Sequence, residues 1–400
     1  MSKIKLTNIG QIATYNSESN NVDIINNCEI LINEGVIENI NGDINSDDET
    51  FDCKNKLITP GFVDPHTHPV FLKGREEEFR QRMQGATYEE IAALGGGIIS
   101  SISGVRDASI EELAQVAMHR MDRFLKLGTT TIEAKSGYGL NIDSELKSLK
   151  VLDLVNQNHA IDIIPTFLGA HAIPPEYKDN PDDYIDLLCN EMIPAIAEQG
   201  IAKYCDVFCE NGYFNVEQSR RILNTAKSFG LIPRLHADEF EDSGAAELAA
   251  EVGAVSADHL MAVSDVGIQN LAGANVTATL LPGTTFFLKS SNYAPAKKLI
   301  NAGVDIALAT DYNPGSCPIQ SMPYIISLAC IYMGISVEEA FAAATYNSAR
   351  TLNLENEIGS IEIGKNADLI IWDLEALIEL PYNVTDVPIM KVMKKGKFID

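Results

Sequence analysis

Positive charge is scarce in this chain of 400 residues. Thirty lysines and arginines stand against 56 acidic residues, a net charge of −26. Such a surface disfavours nucleic acid and anionic membrane as partners and favours solubility. An anionic small molecule would need a local cationic clamp. Long apolar runs are missing too: no stretch approaches the ~20 residues of a membrane span. The opening Met1-Ser2-Lys3-Ile4-Lys5 carries neither the apolar core nor the cleavage signature of a secretion signal. The seven cysteines, at 28, 53, 189, 205, 209, 317 and 330, are odd in number and never spaced Cys-x-x-Cys. Cys205 and Cys209, on one face of an expected strand, read as buried reduced thiols, and the expected compartment is the cytosol. There is no internal repeat and no low-complexity segment.

What is there is a globular chain, 46% hydrophobic with mixed charge. Residues 3 to 57 have β texture, with Asn33-Glu34-Gly35 reading as a hairpin turn between Ile30, Ile32 and Val36, Ile37, Ile40. From residue 58 short apolar runs alternate with helical stretches, as repeated βα units require. Strands are expected at 61–66, 129–135, 161–168, 204–209, 231–236, 254–259, 275–281 and 304–310. Eight parallel strands close a barrel. Ser109 with Glu112 and Ser336 with Glu339 read as capping boxes, and Asn215 as a helix start closed by Gly230. After about residue 357 β texture returns, at 367–372 and 389–399. The expected fold is α/β: a (β/α)8 TIM-like barrel over 58–357, with a small β-sandwich domain built from 1–57 and 358–400 together.

Chemistry concentrates at the carboxyl ends of the expected strands, where barrel enzymes carry it. The first strand leads into His66-Thr67-His68, and side chains two apart in an extended chain share a face. Neutral imidazoles suit zinc and iron. His-x-His alone is a weak signal and needs partners. His236 and His259 stand at the ends of the fifth and sixth strands and Asp311 after the eighth; Lys135, His171 and Glu210 follow the second, third and fourth. His66, His68, His236 and Asp311 make a three-histidine, one-carboxylate set with a position left open, the pattern of a catalytic metal site. An ion so held lowers the pKa of water and polarises a carbonyl. Asp311 could instead cap the turn Tyr312-Asn313-Pro314-Gly315. His259 reads either as a further ligand or as an acid/base beside the ion. Glu239, three residues after His236, is placed to exchange protons, unless it belongs to a solvated acidic loop with Glu241 and Asp242. His119, in a helix, and His159, in a turn, read as structural or surface residues.

With those residues in view, Pro60-Gly61-Phe62-Val63-Asp64-Pro65-His66-Thr67-His68 resembles the opening signature of the amidohydrolase superfamily. Further stretches are similar to its cyclic-amide hydrolases of histidine breakdown: Glu133-Ala134-Lys135-Ser136-Gly137-Tyr138-Gly139, Gly169-Ala170-His171-Ala172-Ile173-Pro174-Pro175, His236-Ala237-Asp238-Glu239, Ser256-Ala257-Asp258-His259 and Asp311-Tyr312-Asn313-Pro314-Gly315-Ser316. The resemblance covers essentially the whole chain. It implies hydrolytic opening of 4-imidazolone-5-propanoate to N-formimidoyl-L-glutamate, with one zinc or iron ion (ferrous or ferric) per subunit. It implies His66, His68, His236 and Asp311 as metal ligands, and Glu239, His259 and Asp311 as the residues acting on water or ring. Arg75, Tyr88, Tyr138, His171, Glu239, Asn313, Gly315 and Ser316 would bind substrate, and a homodimer is implied. Physics gives Arg75 a separate reason, since guanidinium forks onto a propionate. Followed by Glu76, Glu77 and Glu78, it could equally be an exposed, salt-bridged helix start. Leu72 and Lys73 stand where relatives carry small residues. Two rival functions share the fold: deamination of a cyclic base, which needs no carboxylate clamp, and a catalytically silent scaffold, which needs no metal ligands.

Overall fold

Alternating apolar side chains build the first strands. A computed structural model describes residues 3–41, 49–87, 90–91 and 94–399, and in it β1 (Ile4–Asn16), β2 (Asn21–Asn33), β3 (Val36–Ile40) and β4 (Glu49–Pro60) follow in turn. Residues 42–48, within the polar and acidic stretch from Asn41 to Glu49, lie outside the described residues. β2 and β3 meet in a two-residue hairpin whose Glu34 and Gly35 have φ of 52° and 88°, the backbone that matches strand twist. At the other end β13 (Leu369–Trp372), β14 (Ile389–Lys394) and β15 (Lys397–Ile399) complete a seven-stranded mixed sheet, ordered β15-β14-β13-β4-β1-β2-β3. The chain ends are thus stitched together through β4 and β13, over a core of Leu6, Ile12, Ile30, Ile371 and neighbours.

Between them lie eight parallel strands: β5 (Phe62–Asp64), β6 (Thr129–Lys135), β7 (Asp162–Ala170), β8 (Tyr204–Cys209), β9 (Ile232–Ala237), β10 (Ser256–His259), β11 (Thr277–Leu280) and β12 (Ile306–Leu308). They pair in strict sequence order, as a (β/α)8 barrel requires. The first and last strands are joined just beyond their carboxyl ends. The Asp311 amide donates to the His66 carbonyl at 3.1 Å, and the His68 amide to the Tyr312 carbonyl at 2.8 Å. Lower down, the Asp64 carboxylate accepts from the Thr310 amide at 3.1 Å and from its hydroxyl. The seam therefore closes at the residues singled out for chemistry.

The helices begin where short-range chemistry says they should. Capping boxes at Ser109 with Glu112, Asn215 with Gln218 and Ser336 with Glu339 open the helices Ile110–Lys126, Val216–Ser228 and Val337–Ala344. β6 and β8 are buried along their whole length although β6 reads Thr-Thr-Thr-Ile-Glu-Ala-Lys. Parallel strands covered by helices are ordinarily near-continuous apolar runs. Charge inside this barrel therefore has to be paired.

Candidate metal centre and active site

His66 and His68 lie past the end of β5 on one face of an extended segment that the closing seam holds in place. Their Nε2 atoms are 3.2 Å apart, and Asp311 Oδ1 is 3.6 Å from the first and 3.4 Å from the second. Two ligand atoms about 2.1 Å from one ion at a tetrahedral angle are separated by roughly 3.4 Å. The three atoms thus stand where the ligands of a single cation stand. His236 joins them, its ring centroid 4.5 Å from that of His66 and 5.4 Å from that of His68. Two of these rings are oriented from behind: His66 Nδ1 lies 2.7 Å from Asp258 Oδ2, and His236 Nδ1 lies 3.1 Å from Asp206 Oδ1. Such partners direct the Nε2 lone pair of each ring inward.

Electrostatics favours the same use. Burial, with the Lys135 ammonium adding to it, holds His66 well below the usual imidazole range, and burial with His236 does so for His68. Neutral rings are the form that binds a metal. Burial raises the Asp311 carboxyl, opposed first by His259. Asp311 has φ of 52° and its second oxygen accepts from the Thr284 hydroxyl, so it faces the histidines instead of capping the turn after it. His259, with φ of 81°, has no hydrogen bond at either ring nitrogen among the described residues; Glu239 Oε1, 3.7 Å from Nδ1, is the nearest carboxylate oxygen paired with it. Burial pushes it down to about 3.

These groups form the floor of a cleft at the barrel mouth, whose lining also includes Arg75, Tyr138, His171, Asn313 and Ser316. His66 sits below it. Arg75 is not an exposed helix start: it is 9% exposed, stands immediately before the helix Glu76–Met83, and lies 3.4 Å from the buried Glu78. Gly315 lies under the guanidinium, where a Cβ would fall 1.7 Å from Arg75 Nη2. Asn313 organises its own loop, accepting at Oδ1 from the Gly315 amide at 2.9 Å and the Ser316 amide at 2.7 Å. His171 hangs its Nδ1 on the Gly137 carbonyl at 2.9 Å and stacks on His68. Tyr88 is outside the described residues. His119 is exposed on its helix and His159 bonds the Ile161 amide, both away from the cleft. Glu210 accepts from the Phe240 amide, and Asp238 from the amides of Ser243, Ala245 and Ala246, the last two opening the helix Ala245–Val252, so both hold backbone.

The amidohydrolase family model matches residues 213–399. Imidazolonepropionase from Alkaliphilus metalliredigens (strain QYMF) is 46% identical over 370 residues, 92% of this chain and 87% of that protein. The imidazolonepropionase of Geobacillus sp. (strain WCH70) is 47% identical over 393 residues, 95% of this chain and 92% of that one. The chain belongs to the imidazolonepropionase family of amidohydrolases. Among solved structures, 5-methylcytosine deaminase from Klebsiella pneumoniae aligns with a TM-score of 0.77 at 18% identity, over 99% of this chain and 97% of that one. E. coli guanine deaminase gives 0.75 at 16% identity, over 100% and 99%. At such identities these two speak for the fold alone.

This imidazolonepropionase-family chain carries beneath its cleft a layer of charge that the sequence reading did not place. Lys135 Nζ lies 2.7 Å from Glu133 Oε1 and 2.8 Å from Asp206 Oδ2, all three side chains fully buried. Arg234 donates to the Pro65 carbonyl at 2.8 Å and lies 3.5 Å from Asp258. Against the cost of burial, His236 and then Lys135 hold Asp206 well below the usual carboxylate range. Lys135, at the end of β6, is thus paired inside the barrel and does not line the cleft. A signal for this layer exists in the chain: Glu133 and Lys135 are two apart on one face of β6, and Arg234 and His236 on one face of β9.

Proposed function

We propose that this chain opens the ring of 4-imidazolone-5-propanoate by hydrolysis, yielding N-formimidoyl-L-glutamate. The observation that carries the reading is the convergence of His66 Nε2, His68 Nε2 and Asp311 Oδ1 to within 3.6 Å of one another beside a buried arginine. His66, His68, His236 and Asp311 would hold one zinc or iron ion per subunit. Such an ion lowers the pKa of water and polarises the ring carbonyl.

Water contributes its oxygen to the carbonyl carbon, the ring C–N bond breaks, and a proton ends on the departing nitrogen. Asp311, its carboxyl raised by burial, takes the proton of the attacking water. His259, neutral and with Glu239 Oε1 3.7 Å from its Nδ1, presents a ring N–H to the developing oxyanion. Glu239 or Asp311 delivers the proton to nitrogen. Arg75 forks onto the propionate, with Tyr138, His171, Asn313, Gly315 and Ser316 around the substrate; Tyr88 belongs to the same set by family likeness. We infer a cytoplasmic homodimer, supported by seven free cysteines and by exposed apolar side chains at Ile331 and Tyr332.

The test is a direct assay of ring opening alongside cytosine and guanine, with Arg75→Ala in parallel. Loss of a charged hydrogen bond costs about 1.5–3 kcal/mol, so KM for imidazolonepropionate should rise roughly ten- to a hundredfold in the variant. Turnover of cytosine or guanine instead, indifferent to Arg75, would replace this reading with a deaminase.

A further inference from the structure

Between β6 and the helix Ile142–Asn158 the chain passes through Ser136–Leu140, which carries Tyr138 into the cleft. This loop is bent into a shape few sequences adopt. Gly137 has φ of 108° and Leu140 of 52°, and a Cβ on Gly137 would fall 2.8 Å from the Leu168 carbonyl oxygen and 3.1 Å from His171 Nδ1. The Ser136 amide pairs with the Thr166 carbonyl of β7 at 3.0 Å, and beyond it the strand pairing ends. Glu145 takes over: Oε2 accepts from the Gly137 amide at 2.9 Å, and Oε1 from the Gly139 amide at 2.9 Å and the Leu140 amide at 2.8 Å.

The Glu145 carboxylate is completely buried and has no ion pair among the described residues, and its place in the early turns of a 17-residue helix favours negative charge. Burial pushes its carboxyl up, opposed by the Ser136 hydroxyl and the three amides. On the other side of the loop Arg106 donates to the Gly139 carbonyl at 2.7 Å and the Leu140 carbonyl at 3.3 Å, and pairs with Glu176 at 2.6 Å. Gly137, held at its amide by Glu145, offers its carbonyl to His171. The residues on both sides of Tyr138 are therefore fixed, as is the support of His171.

We propose that Glu145 and Arg106, neither of which lines the cleft, are a pair of positioning residues that clamp the Ser136–Leu140 loop and so set Tyr138 and His171 for substrate binding. This rests on the reading above that those two side chains meet the substrate. A carboxylate with three amide donors and no cation is otherwise an unfavourable thing to bury. Here it acts as the template that a glycine-rich turn lacks.

The test is steady-state kinetics of ring opening on metal-loaded Glu145→Gln and Arg106→Gln, with bound metal and the unfolding midpoint measured beside them. Glutamine replaces one acceptor oxygen with an NH2 that cannot receive the Gly137 amide. Misplacement of a binding group by a fraction of an ångström should raise KM about tenfold while kcat stays within about threefold, with metal content unchanged. In a Tyr138→Phe background the same substitutions should raise KM less, because the group they position is already lost. Wild-type KM in both variants, or an equal rise with and without the Tyr138 hydroxyl, would overturn the clamp. Should Glu145→Gln fail to fold, Arg106→Gln, made at a partly exposed side chain, decides alone by the same criteria. Wild-type KM in Tyr138→Phe and in His171→Asn would instead overturn the substrate reading.

Discussion

Lys135 and Asp206 form an ion pair 2.8 Å across, at the centre of the barrel and with neither side chain exposed. The other oxygen of Asp206 is bonded to His236 Nδ1. Asp206 and Glu133 in turn raise the Lys135 ammonium against the pull of burial. The pair thus links the barrel floor to a proposed metal ligand.

Removing Lys135 should therefore be felt twice. Lys135→Met leaves Asp206 and Glu133 buried without their cation, and breaking a buried pair in this way costs about 3–5 kcal/mol of stability. Disturbing the partner of a ligating histidine weakens metal binding roughly 10- to 100-fold. Denaturant unfolding and competition with a chelator measure the two effects. Wild-type metal affinity in this variant would detach the floor from the site.

Gly315 makes a narrower prediction. Gly315→Ala places a Cβ 1.7 Å from the present position of Arg75 Nη2, so the guanidinium must move. If Arg75 holds the propionate, KM should rise by about tenfold with little change in kcat, the mark of lost ground-state binding. Unaltered KM would take the carboxylate clamp away from Arg75.

Most of the framework was legible because it rests on local chemistry. Short apolar runs between helical stretches placed all eight barrel strands, and Ser109 with Glu112 or Ser336 with Glu339 placed helix starts whose capping boxes are present as written. The histidines were legible because strand ends are where barrels gather function. What escaped was set by long-range pairing. Arg75 among three glutamates looks solvated until Gly315 and Glu78 close over it. Asp206 and Asp258 look like ordinary acidic residues until strands far apart in the chain bring Asp206 to Lys135 and His236, and Asp258 to His66. Glu145 is hidden by the opposite cause: it acts locally, but through backbone amides that no side-chain pattern reveals.

The cysteines report on the fold as a whole. Burial pushes Cys28 up to about 11, Cys53 to about 12 and Cys209 to about 11, from 9.0. The folded chain keeps thiol protons that the unfolded chain gives up above pH 9, so their contribution to stability is full below that value and is lost as pH rises from about 9 to 12. Alkylation at pH 8 should be slow at the six buried thiols of the native protein and complete at all seven, the half-buried Cys330 included, after unfolding. Rapid native labelling of Cys53 or Cys209 would contradict the burial described.

The most direct test of the central claim is metal quantification on active protein, paired with ring opening, in the wild type and in Asp311→Asn. If three imidazoles and one carboxylate meet on a single cation, the wild type carries one zinc or iron ion per chain, and Asp311→Asn loses metal affinity and turnover together. Wild-type metal content and near-normal ring opening in Asp311→Asn would contradict it.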